Sequence, residues 1–352
     1  MNPRASTSSR SIDLTVATMS SHPSTIRPPL DPEIAVAQKS FPRTSLRESL
    51  SARRKAAILT WESISGGREA LISHSEVDIP GPAVTLRASV LRSTKAEHQA
   101  QPASKTVGIV HFHGGGHVTA DRFVGLNTLF DIIEKLGAVV VSAEYRLAPE
   151  HPQPAQVEDS YAALRWAHSH ASELGFNPDK LVTCGGSAGG NLTAGVSLLA
   201  RDRAGPKLLG QMLFYPWVDD ATTSHSIEQY GDVAPWTKDD NAYGLDLALG
   251  KNREHASIYT LPARAAETQQ GLSGHPPTYL DVGEADVFRD QDMEFAGNLW
   301  KAGVQTELHV WPGAWHAFDT FAPEASVSKR AFKARLEWLE KLLETTDAGI
   351  SA

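Results

Sequence analysis

Gly185-Gly186-Ser187-Ala188-Gly189 is the stretch that decides the fold. It lies between the apolar residues 181–184, which predict a buried strand, and residues 191–196, which predict a helix. A serine flanked by glycines at such a turn is typical of a nucleophile elbow, because small neighbours tolerate the strained backbone that exposes the hydroxyl. The start of the helix directs N–H groups outward and favours developing negative charge. We therefore expect Ser187 to be a nucleophile.

A second motif, His113-Gly114-Gly115-Gly116, comes directly after residues 106–112, whose β-branched and apolar character predicts an interior strand. Three consecutive glycines leave a loop without side chains, so its N–H groups can approach a ligand closely. Acyl transfer needs such donors, because the carbonyl oxygen becomes an oxyanion in the tetrahedral intermediate. The position of the loop after a strand favours this function over an ordinary flexible loop.

Two further predicted strands lead to an acid and a histidine. Residues 277–283 are followed by Glu284 and Asp286, and residues 305–311 lead to His316. In an α/β-hydrolase sheet the acid and then the histidine follow the serine along the chain. We expect His316 to act as general base and Asp286 to orient it. Glu284 is the alternative acid if the loop turns differently.

Other carboxylates and histidines in the sequence fit these roles less well. Asp281 lies inside a predicted strand, and so does His309. His275 precedes two prolines, and His151 lies in a proline-rich turn, so we expect structural or solvated side chains there. His117, just after the glycine loop, is equally compatible with a substrate contact and with a loop position that has no role.

Several motifs in the right order carry a resemblance to a known family. Besides the two glycine motifs, the chain contains Tyr145-Arg146-Leu147-Ala148-Pro149-Glu150-His151-Pro152 and Asp286-Val287-Phe288-Arg289-Asp290. Together they resemble the hormone-sensitive-lipase-like branch of the α/β-hydrolases, which contains microbial carboxylesterases, acetyl esterases and arylacetamide deacetylases. The resemblance covers roughly residues 83–343.

The resemblance implies a complete set of site residues. It makes Ser187 the nucleophile, Asp286 the acid and His316 the base. It also implies an oxyanion hole built from the N–H groups of Gly114, Gly115 or Gly116 together with that of Ala188. It implies neither a cofactor nor a metal.

Four positions depart from the family pattern. Gly186 stands where an aspartate is usual, Ala120 where a glycine is frequent, and His117 where the family has an aromatic or bulky residue. Ala317 replaces the glycine that commonly follows the catalytic histidine. None of these changes removes a member of the triad, so they bear on substrate preference and rate rather than on reaction class.

Strand and helix patterns alternate along most of the chain, which predicts an α/β-hydrolase fold: a mostly parallel central sheet with helices on both faces. Residues 40–72 and about 216–276 interrupt the alternation. In the resembled family such segments form a helical cap over the serine. We therefore expect an N-terminal cap segment at 40–72, a hydrolase domain at 73–346 containing the cap insertion, and a tail at 347–352.

A cap excludes water and shapes the substrate pocket. Trp217, placed just after a predicted strand end, is the candidate pocket aromatic of the insertion. The basic cluster of the first cap segment predicts a solvated helix face; its members are Arg43, Arg47, Arg53, Arg54 and Lys55.

Composition limits the partners. The 352 residues, 41% of them hydrophobic, suit one large globular domain. A net charge of −8 argues against nucleic acid or an anionic membrane as a partner. No run of about 18 apolar residues predicts a membrane span. The single cysteine, Cys184, excludes an intrachain disulfide and favours the cytoplasm. Nothing in the sequence specifies an oligomeric state.

Residues 1–39 predict a disordered leader. The first 28 residues are rich in serine and threonine and contain one acidic residue, Asp13. They lack the apolar block of a secretory signal, so disorder is the preferred interpretation and a transit peptide is the alternative.

The sequence thus predicts a serine hydrolase that cleaves small to medium carboxylic esters, with short acyl groups, through an acyl-enzyme. Its partner is a small-molecule ester. One alternative is an amide or lactone hydrolase, or a deacetylase of a secondary metabolite. A second is a non-catalytic receptor that uses the same pocket; receptors of this branch lack the catalytic histidine, whereas His316 is present.

Overall fold

The central sheet of the protein has eight strands. The computed structural model describes residues 26–41 and 45–349, without the side chains of residues 251 and 252. The strands of this part of the chain are β1 Ile72–Pro80, β2 Thr85–Ser93, β3 Gly108–Phe112, β4 Val139–Ala143, β5 Leu181–Gly186, β6 Gly210–Phe214, β7 Thr278–Ala285 and β8 Thr306–Trp315. They form one sheet in the order β1-β2-β4-β3-β5-β6-β7-β8.

Helices connect and cover these strands. The α-helices of the described residues are α1 Pro32–Lys39, α2 Leu50–Ala56, α3 Trp61–Ile64, α4 Ala96–Gln99, α5 Phe130–Leu136, α6 Ala155–Ser169, α7 Ala171–Leu174, α8 Ala188–Asp202, α9 His225–Tyr230, α10 Lys238–Leu249, α11 Arg289–Lys301, α12 Phe318–Phe321 and α13 Ser326–Asp347. Short 3₁₀ helices cover Ala103–Lys105, Leu126–Leu129, Pro178–Lys180, Gly250–His255 and Pro262–Glu267. Among the described helices, none combines the length and the apolar character needed to cross a membrane.

The sheet is mostly parallel, as the alternating pattern predicted. Strands β3 to β8 run parallel to one another, whereas β2 is antiparallel to both of its neighbours, β1 and β4. The alternation did not predict the β1–β2 hairpin, because β1 lies at the sheet edge and buries few of its side chains. This architecture agrees with the predicted α/β-hydrolase fold.

Both faces of the sheet are covered, so its inner strands are buried throughout. On β3, Val110 and Phe112 point to one face and pack with α6 and α8. Ile109 points to the opposite face and packs with α5 and α13. This double burial explains why the inner strands appear in the sequence as continuous apolar runs rather than as alternating patterns.

Helix α1 corrects the prediction of a disordered leader. Its Ile34 is fully buried and its carbonyl accepts the indole N–H of Trp315 at 3.1 Å. Just before the helix, the N–H of Asp31 donates to the carbonyl of Gly313 at 3.0 Å. The prediction is therefore wrong for residues 32–39, which these contacts fix on the body. Residues 1–25 of that prediction lie outside the described part of the chain.

The C-terminal tail begins later than predicted. Helix α13 continues to Asp347, and the described chain ends at Gly349. Residues 350–352 lie outside the described residues.

The first cap segment is shorter than predicted. Its part around α2 contacts the insertion: the N–H of Leu46 donates to Asp240 at 2.6 Å, and Arg53 donates to the carbonyl of Pro235 at 3.0 Å. From Leu59 onward the chain contacts the body instead. The N–H of Leu59 donates to Asp121 at 2.7 Å. The indole of Trp61 on α3 packs edge-on against the ring of Phe130 on α5, with 5.8 Å between the ring centroids. Residues 59–72 therefore belong to the body of the domain and not to the cap.

The insertion is also shorter than predicted. Ala265 and Leu272 are buried in a cluster with Leu198 of α8 and Leu280 of β7. They pack on the sheet because the 3₁₀ turn after Leu261 returns the chain to the body. The segment that lies over the serine therefore ends near residue 261 rather than 276.

The basic cluster is not a uniformly solvated face. Arg54 donates to the carbonyls of Val118 and Ala148, each at 2.7 Å, and forms a bidentate pair with Glu150 at 2.7 Å. The guanidinium of Arg54 lowers the pKa of the Glu150 carboxyl to about 2. Arg54 thus anchors α2 to the body through Val118, Ala148 and Glu150. Arg43, another member of the basic cluster, lies outside the described residues.

Candidate active site

Ser187 lies on a sharp turn between β5 and α8. Its backbone has φ 57° and ψ −121°, a conformation that a non-glycine residue adopts only when its surroundings hold it there. The N–H of Ser187 donates to the carbonyl of Phe214 at 2.9 Å. The turn requires glycine at position 189, because a side chain there would collide with the carbonyl oxygen of Phe112. The expected nucleophile elbow is therefore present in the backbone.

The structure brings Ser187, His316 and Asp286 together in one hydrogen-bonded chain. The imidazole Nε2 lies 2.9 Å from the serine Oγ, and Nδ1 lies 2.9 Å from Oδ2 of Asp286. Because a carboxylate only accepts, Nδ1 carries the proton and Nε2 accepts from the serine hydroxyl. The other oxygen of Asp286 accepts the N–H of Phe288 at 3.0 Å. All three residues are buried.

The competing carboxylates have other partners. Glu284 accepts the N–H of Gly313 at 2.9 Å rather than a hydrogen bond from the imidazole. Asp281 is fully buried and accepts two hydrogen bonds from Arg335, each at 2.9 Å. Neither faces His316, so Asp286 is the carboxylate that the geometry places against the imidazole.

A second buried carboxyl, which the sequence analysis did not single out, interacts electrostatically with Asp286. Asp292 on α11 is fully buried, and neither of its oxygens has a hydrogen-bond partner in the described part of the chain. Burial raises the pKa of Asp292 well above its usual range, and the negative charges of Asp286 and Asp219 add to the rise. Both effects favour the neutral form of the Asp292 carboxyl.

The glycine loop lies against the elbow. Gly114 packs so closely that a Cβ there would be 3.1 Å from the carbonyl oxygen of Gly186 and 3.6 Å from the Cβ of Ser187. His113 supports the loop: its ring stacks on Tyr145 at 4.0 Å, and its Nδ1–H donates to the Gly114 carbonyl at 2.8 Å. The loop conformation is therefore fixed before any ligand binds.

Backbone donors converge beside the serine. The N–H groups of Gly114, Gly115 and Gly116 have no acceptor among the described residues. Ala188 is the first residue of α8, where N–H groups have no intrahelical partner. Gly114 and Gly115 line a cavity beside the serine. Gly116 does not line it, because the ring of Trp236 covers this glycine.

A cavity of about 350 Å³ opens onto Ser187 and His316. Aromatic rings form much of its wall: Phe41, Phe214, Tyr215, Trp236 and Phe321. Arg53 and Ala56 of α2 and Pro235 of the loop before α10 also line the cavity. Arg53 is the charged side chain that these two segments contribute. Such an apolar cleft with few polar groups is typical of a small-molecule site.

The two weaker substrate contacts, His117 and Trp217, are not where we expected them. Neither lines this cavity; both are buried, with their rings 5.1 Å apart. The carbonyl of His117 accepts the N–H of Ala148 at 2.9 Å, and the N–H of Trp217 donates to the carbonyl of Ser187 at 3.1 Å. Burial lowers the pKa of His117 to about 3. Both residues thus support the elbow and its loop, and Trp236 is the insertion's tryptophan in the cavity wall.

The departure at Gly186 has a structural reason. A Cβ at this position would lie 2.9 Å from the ring of Tyr215, so the tyrosine occupies the space that a larger side chain would need. The Tyr215 ring packs edge-on against His316 at 5.2 Å, and its hydroxyl donates to Asp319 at 2.8 Å. Tyr215 therefore links the elbow to the histidine loop.

Backbone strain is concentrated at the site. Within the described residues, six non-glycine residues have positive φ. Four of them lie at the elbow, the glycine loop or the histidine loop (Ser187, His117, Ala120 and Ala317), and a fifth, Tyr215, packs against His316. Ala120 and Ala317 stand where the resembled family has glycine, and their φ values of 74° and 59° explain that preference. No group of three or more histidine, cysteine or acidic side chains in the described chain is arranged to hold a metal ion.

Comparison with known proteins agrees with this geometry. A family model described as an alpha/beta hydrolase fold matches residues 109–320. The carboxylesterase NlhH of Mycobacterium tuberculosis is 36% identical over 247 residues, which cover 67% of this chain and 73% of the relative. The carboxylic ester hydrolase LipN of the same species is 35% identical over 262 residues, which cover 72% of this chain and 66% of LipN.

Solved structures give the same result. A bacterial heroin esterase superimposes with a TM-score of 0.78 at 31% identity, covering 89% of this chain and 98% of the esterase. A Pyrobaculum calidifontis esterase superimposes with a TM-score of 0.77 at 27% identity, covering 89% of this chain and 99% of that esterase. The likeness thus extends beyond the matched family segment to almost all of the described chain.

Proposed function

The chain belongs to the α/β-hydrolase family, as its resemblance to the hormone-sensitive-lipase-like branch predicted, and it is a carboxylic ester hydrolase; we propose that it cleaves small esters of short acyl groups through an acyl-enzyme on Ser187. The observation that carries this proposal is the hydrogen-bonded chain from Ser187 through His316 to Asp286. A small-molecule ester is the partner, and the single buried cysteine, Cys184, supports the cytoplasm as compartment.

Acylation follows from the direction of the hydrogen bonds. The Ser187 oxygen bonds to the acyl carbon while Nε2 of His316 takes the hydroxyl proton. Asp286 stabilises the imidazolium that forms, because its buried carboxylate already accepts the Nδ1 proton. The bond to the leaving alcohol then breaks, and His316 returns the proton to the alcohol oxygen.

The oxyanion of the tetrahedral intermediate needs donors that are in place beforehand. We assign this role to the N–H groups of Gly114 or Gly115 and of Ala188, since these groups lie at the serine and lack backbone acceptors in the described chain. Gly116 is the weaker candidate because Trp236 covers it. Water then attacks the acyl carbon, His316 removes its proton, and the acid leaves with Ser187 regenerated.

The size of the cavity supports small substrates. Its volume of about 350 Å³ is at the lower end of the range of about 300–1,000 Å³ that ligand pockets span. In a series of p-nitrophenyl esters, we expect kcat/KM to be highest between acetate and hexanoate and at least tenfold lower for decanoate, because a long chain cannot be buried. Steady-state kinetics across the series checks this; a maximum at decanoate or beyond would contradict the short-acyl assignment.

Labelling of the serine tests the proposed nucleophile most directly. A fluorophosphonate should label the wild-type protein stoichiometrically, because it reacts with an activated serine and mimics the tetrahedral intermediate. Ser187→Ala should not be labelled. Intact-mass spectrometry reads the added phosphonyl group, and peptide mapping locates it.

A matched control comes from another serine on the same helix. Ser197 of α8 is buried and donates to the carbonyl of Thr193 at 2.9 Å, away from the cavity. Ser197→Ala should therefore label like the wild type. Wild-type protein that reacts no faster than Ser187→Ala would remove the esterase mechanism and favour the binding-only alternative.

A further inference from the structure

His111 lies in the wall of the active-site cavity and has no part in the acyl-transfer mechanism. It is on β3, two residues before the glycine motif, and only 1% of its surface is exposed. A polar side chain at this position interrupts an otherwise apolar strand, so its orientation and its hydrogen bonds determine what it offers to a ligand.

The hydrogen bonds of Ser142 fix the tautomer of His111. The Ser142 hydroxyl donates its one proton to the carbonyl of Arg122 at 2.6 Å. Its contact with Nδ1 of His111, at 2.8 Å, must therefore be accepted from an Nδ1–H group. Burial lowers the pKa of His111 to about 3, and His113 adds to this effect, so the ring is neutral. The neutral ring then carries a lone pair on Nε2.

The lone pair of Nε2 faces the cavity. This atom has no hydrogen-bond partner among the described residues. It is the atom of His111 closest to Gly125, another residue of the wall, and a Cβ at Gly125 would lie 3.3 Å from it. Gly125 has φ 87°, which disfavours any side chain at this position. The nitrogen is therefore left open by a glycine that the backbone requires.

Two threonines of the wall are also acceptors. The hydroxyl of Thr128 donates its proton to the carbonyl of Gly125 at 2.6 Å, and that of Thr119 donates to Gly115 at 3.1 Å. Each threonine thus has only oxygen lone pairs left for a ligand. No aspartate or glutamate is among the described residues that line the cavity, so nothing there selects a cation.

We propose that this wall is a specificity site for esters that carry a neutral hydrogen-bond donor, a hydroxyl or an amide N–H, which donates to Nε2 of His111. An apolar group in the same place would leave a buried acceptor unpaired, which is costly. A ligand group that only accepts, such as an ether or a ketone, would place its oxygen lone pairs against the lone pair of Nε2, which is repulsive. The inference rests on the proposed esterase function and adds the substrate class.

Matched ester pairs test this specificity. One pair places the change in the acyl group, p-nitrophenyl β-hydroxybutyrate against p-nitrophenyl isovalerate; the other places it in the alcohol, ethylene glycol monobutyrate against propyl butyrate. In each pair a hydroxyl replaces a methyl group of similar size. The readout is the ratio of kcat/KM within a pair, in wild type and in His111→Phe, so that a general loss of activity cancels.

In one of the two series the hydroxyl preference should fall by about fivefold or more in His111→Phe, as expected when a hydrogen bond in a buried site is lost. Ser142→Ala tests the tautomer and serves if His111→Phe does not fold. Without the Ser142 oxygen that accepts from Nδ1–H, neither the tautomer nor the orientation of the ring is held in place, so the hydroxyl preference should fall here too.

Equal ratios in wild type and both variants, in both series, would overturn the specificity site. If neither ester of a pair is hydrolysed and Ser187 is not labelled by a fluorophosphonate, the proposed function has failed instead. The two failures are therefore distinguishable.

Discussion

Replacing His316 with alanine should lower kcat/KM for p-nitrophenyl acetate by about a thousandfold or more. The imidazole Nε2 lies 2.9 Å from the Ser187 Oγ and accepts the hydroxyl proton, and without the imidazole the serine must attack as a neutral alcohol. Ser187→Ala should lose at least as much. Because the triad acts as a unit, the double variant should be little worse than either single variant.

Asp286→Asn is the sharper member of this series, since it preserves shape and removes charge. The amide would no longer hold the proton on Nδ1, so the imidazole would adopt the tautomer with its proton on Nε2 and could not accept from Ser187. We expect kcat/KM to fall by about a thousandfold or more. Glu284→Gln is the matched control, because Glu284 contacts Gly313 rather than the imidazole. Near-normal turnover by Asp286→Asn together with a large loss in Glu284→Gln would move the acid role to Glu284.

The sequence could predict that Ser187, Asp286 and His316 lie together beside the glycine loop, because each is tied to a strand end. Once residues 181–184 and 277–283 are assigned to parallel strands, Ser187 and Asp286 must lie at the same edge of the sheet. The elbow also depends on local chemistry that glycine makes visible in the sequence. The proposed catalytic residues are therefore those with a local signature.

The pocket had no such signature. Trp217 and Trp236 are equally aromatic and lie in the same insertion, yet only Trp236 lines the cavity, because the insertion returns over the glycine loop at that point. His111 was hidden inside a strand, and Asp292 on a helix looked like one more surface carboxylate. Their environments depend on which elements pack against them, which periodicity does not specify.

The end of the leader and the end of the cap insertion were missed for a related reason. Helix α1 owes its order to contacts with Gly313 and Trp315, almost three hundred positions away along the chain. A helix this short owes its stability to tertiary contacts, which the sequence does not reveal. Residues 262–276 likewise return to the sheet through buried side chains such as Leu272, which could equally have packed in a cap.

Arg335→Met should destabilise the protein by about 3–5 kcal/mol, the largest stability effect we expect of a single substitution outside the triad. Arg335 on α13 is fully buried and donates to Asp281 through two hydrogen bonds of 2.9 Å and to Asp319 through Nη1. Asp319 also accepts the hydroxyl of Tyr215, which packs against His316. Removal of the guanidinium leaves two buried carboxylates without their cation. The midpoint and slope of urea denaturation measure the loss.

Two comparisons separate this network from ordinary ion pairing. Lys329 on the same helix pairs with Glu324 at 3.0 Å, but both side chains are largely exposed, so Lys329→Met should cost less than about 1 kcal/mol. Arg335→Lys keeps the charge and loses the planar fork, so its cost should lie between the two. A loss below about 1 kcal/mol in Arg335→Met would show that Asp281 and Asp319 are satisfied by other means. Because Tyr215 joins the network to the histidine loop, Arg335→Lys should also lower kcat more than Lys329→Met does.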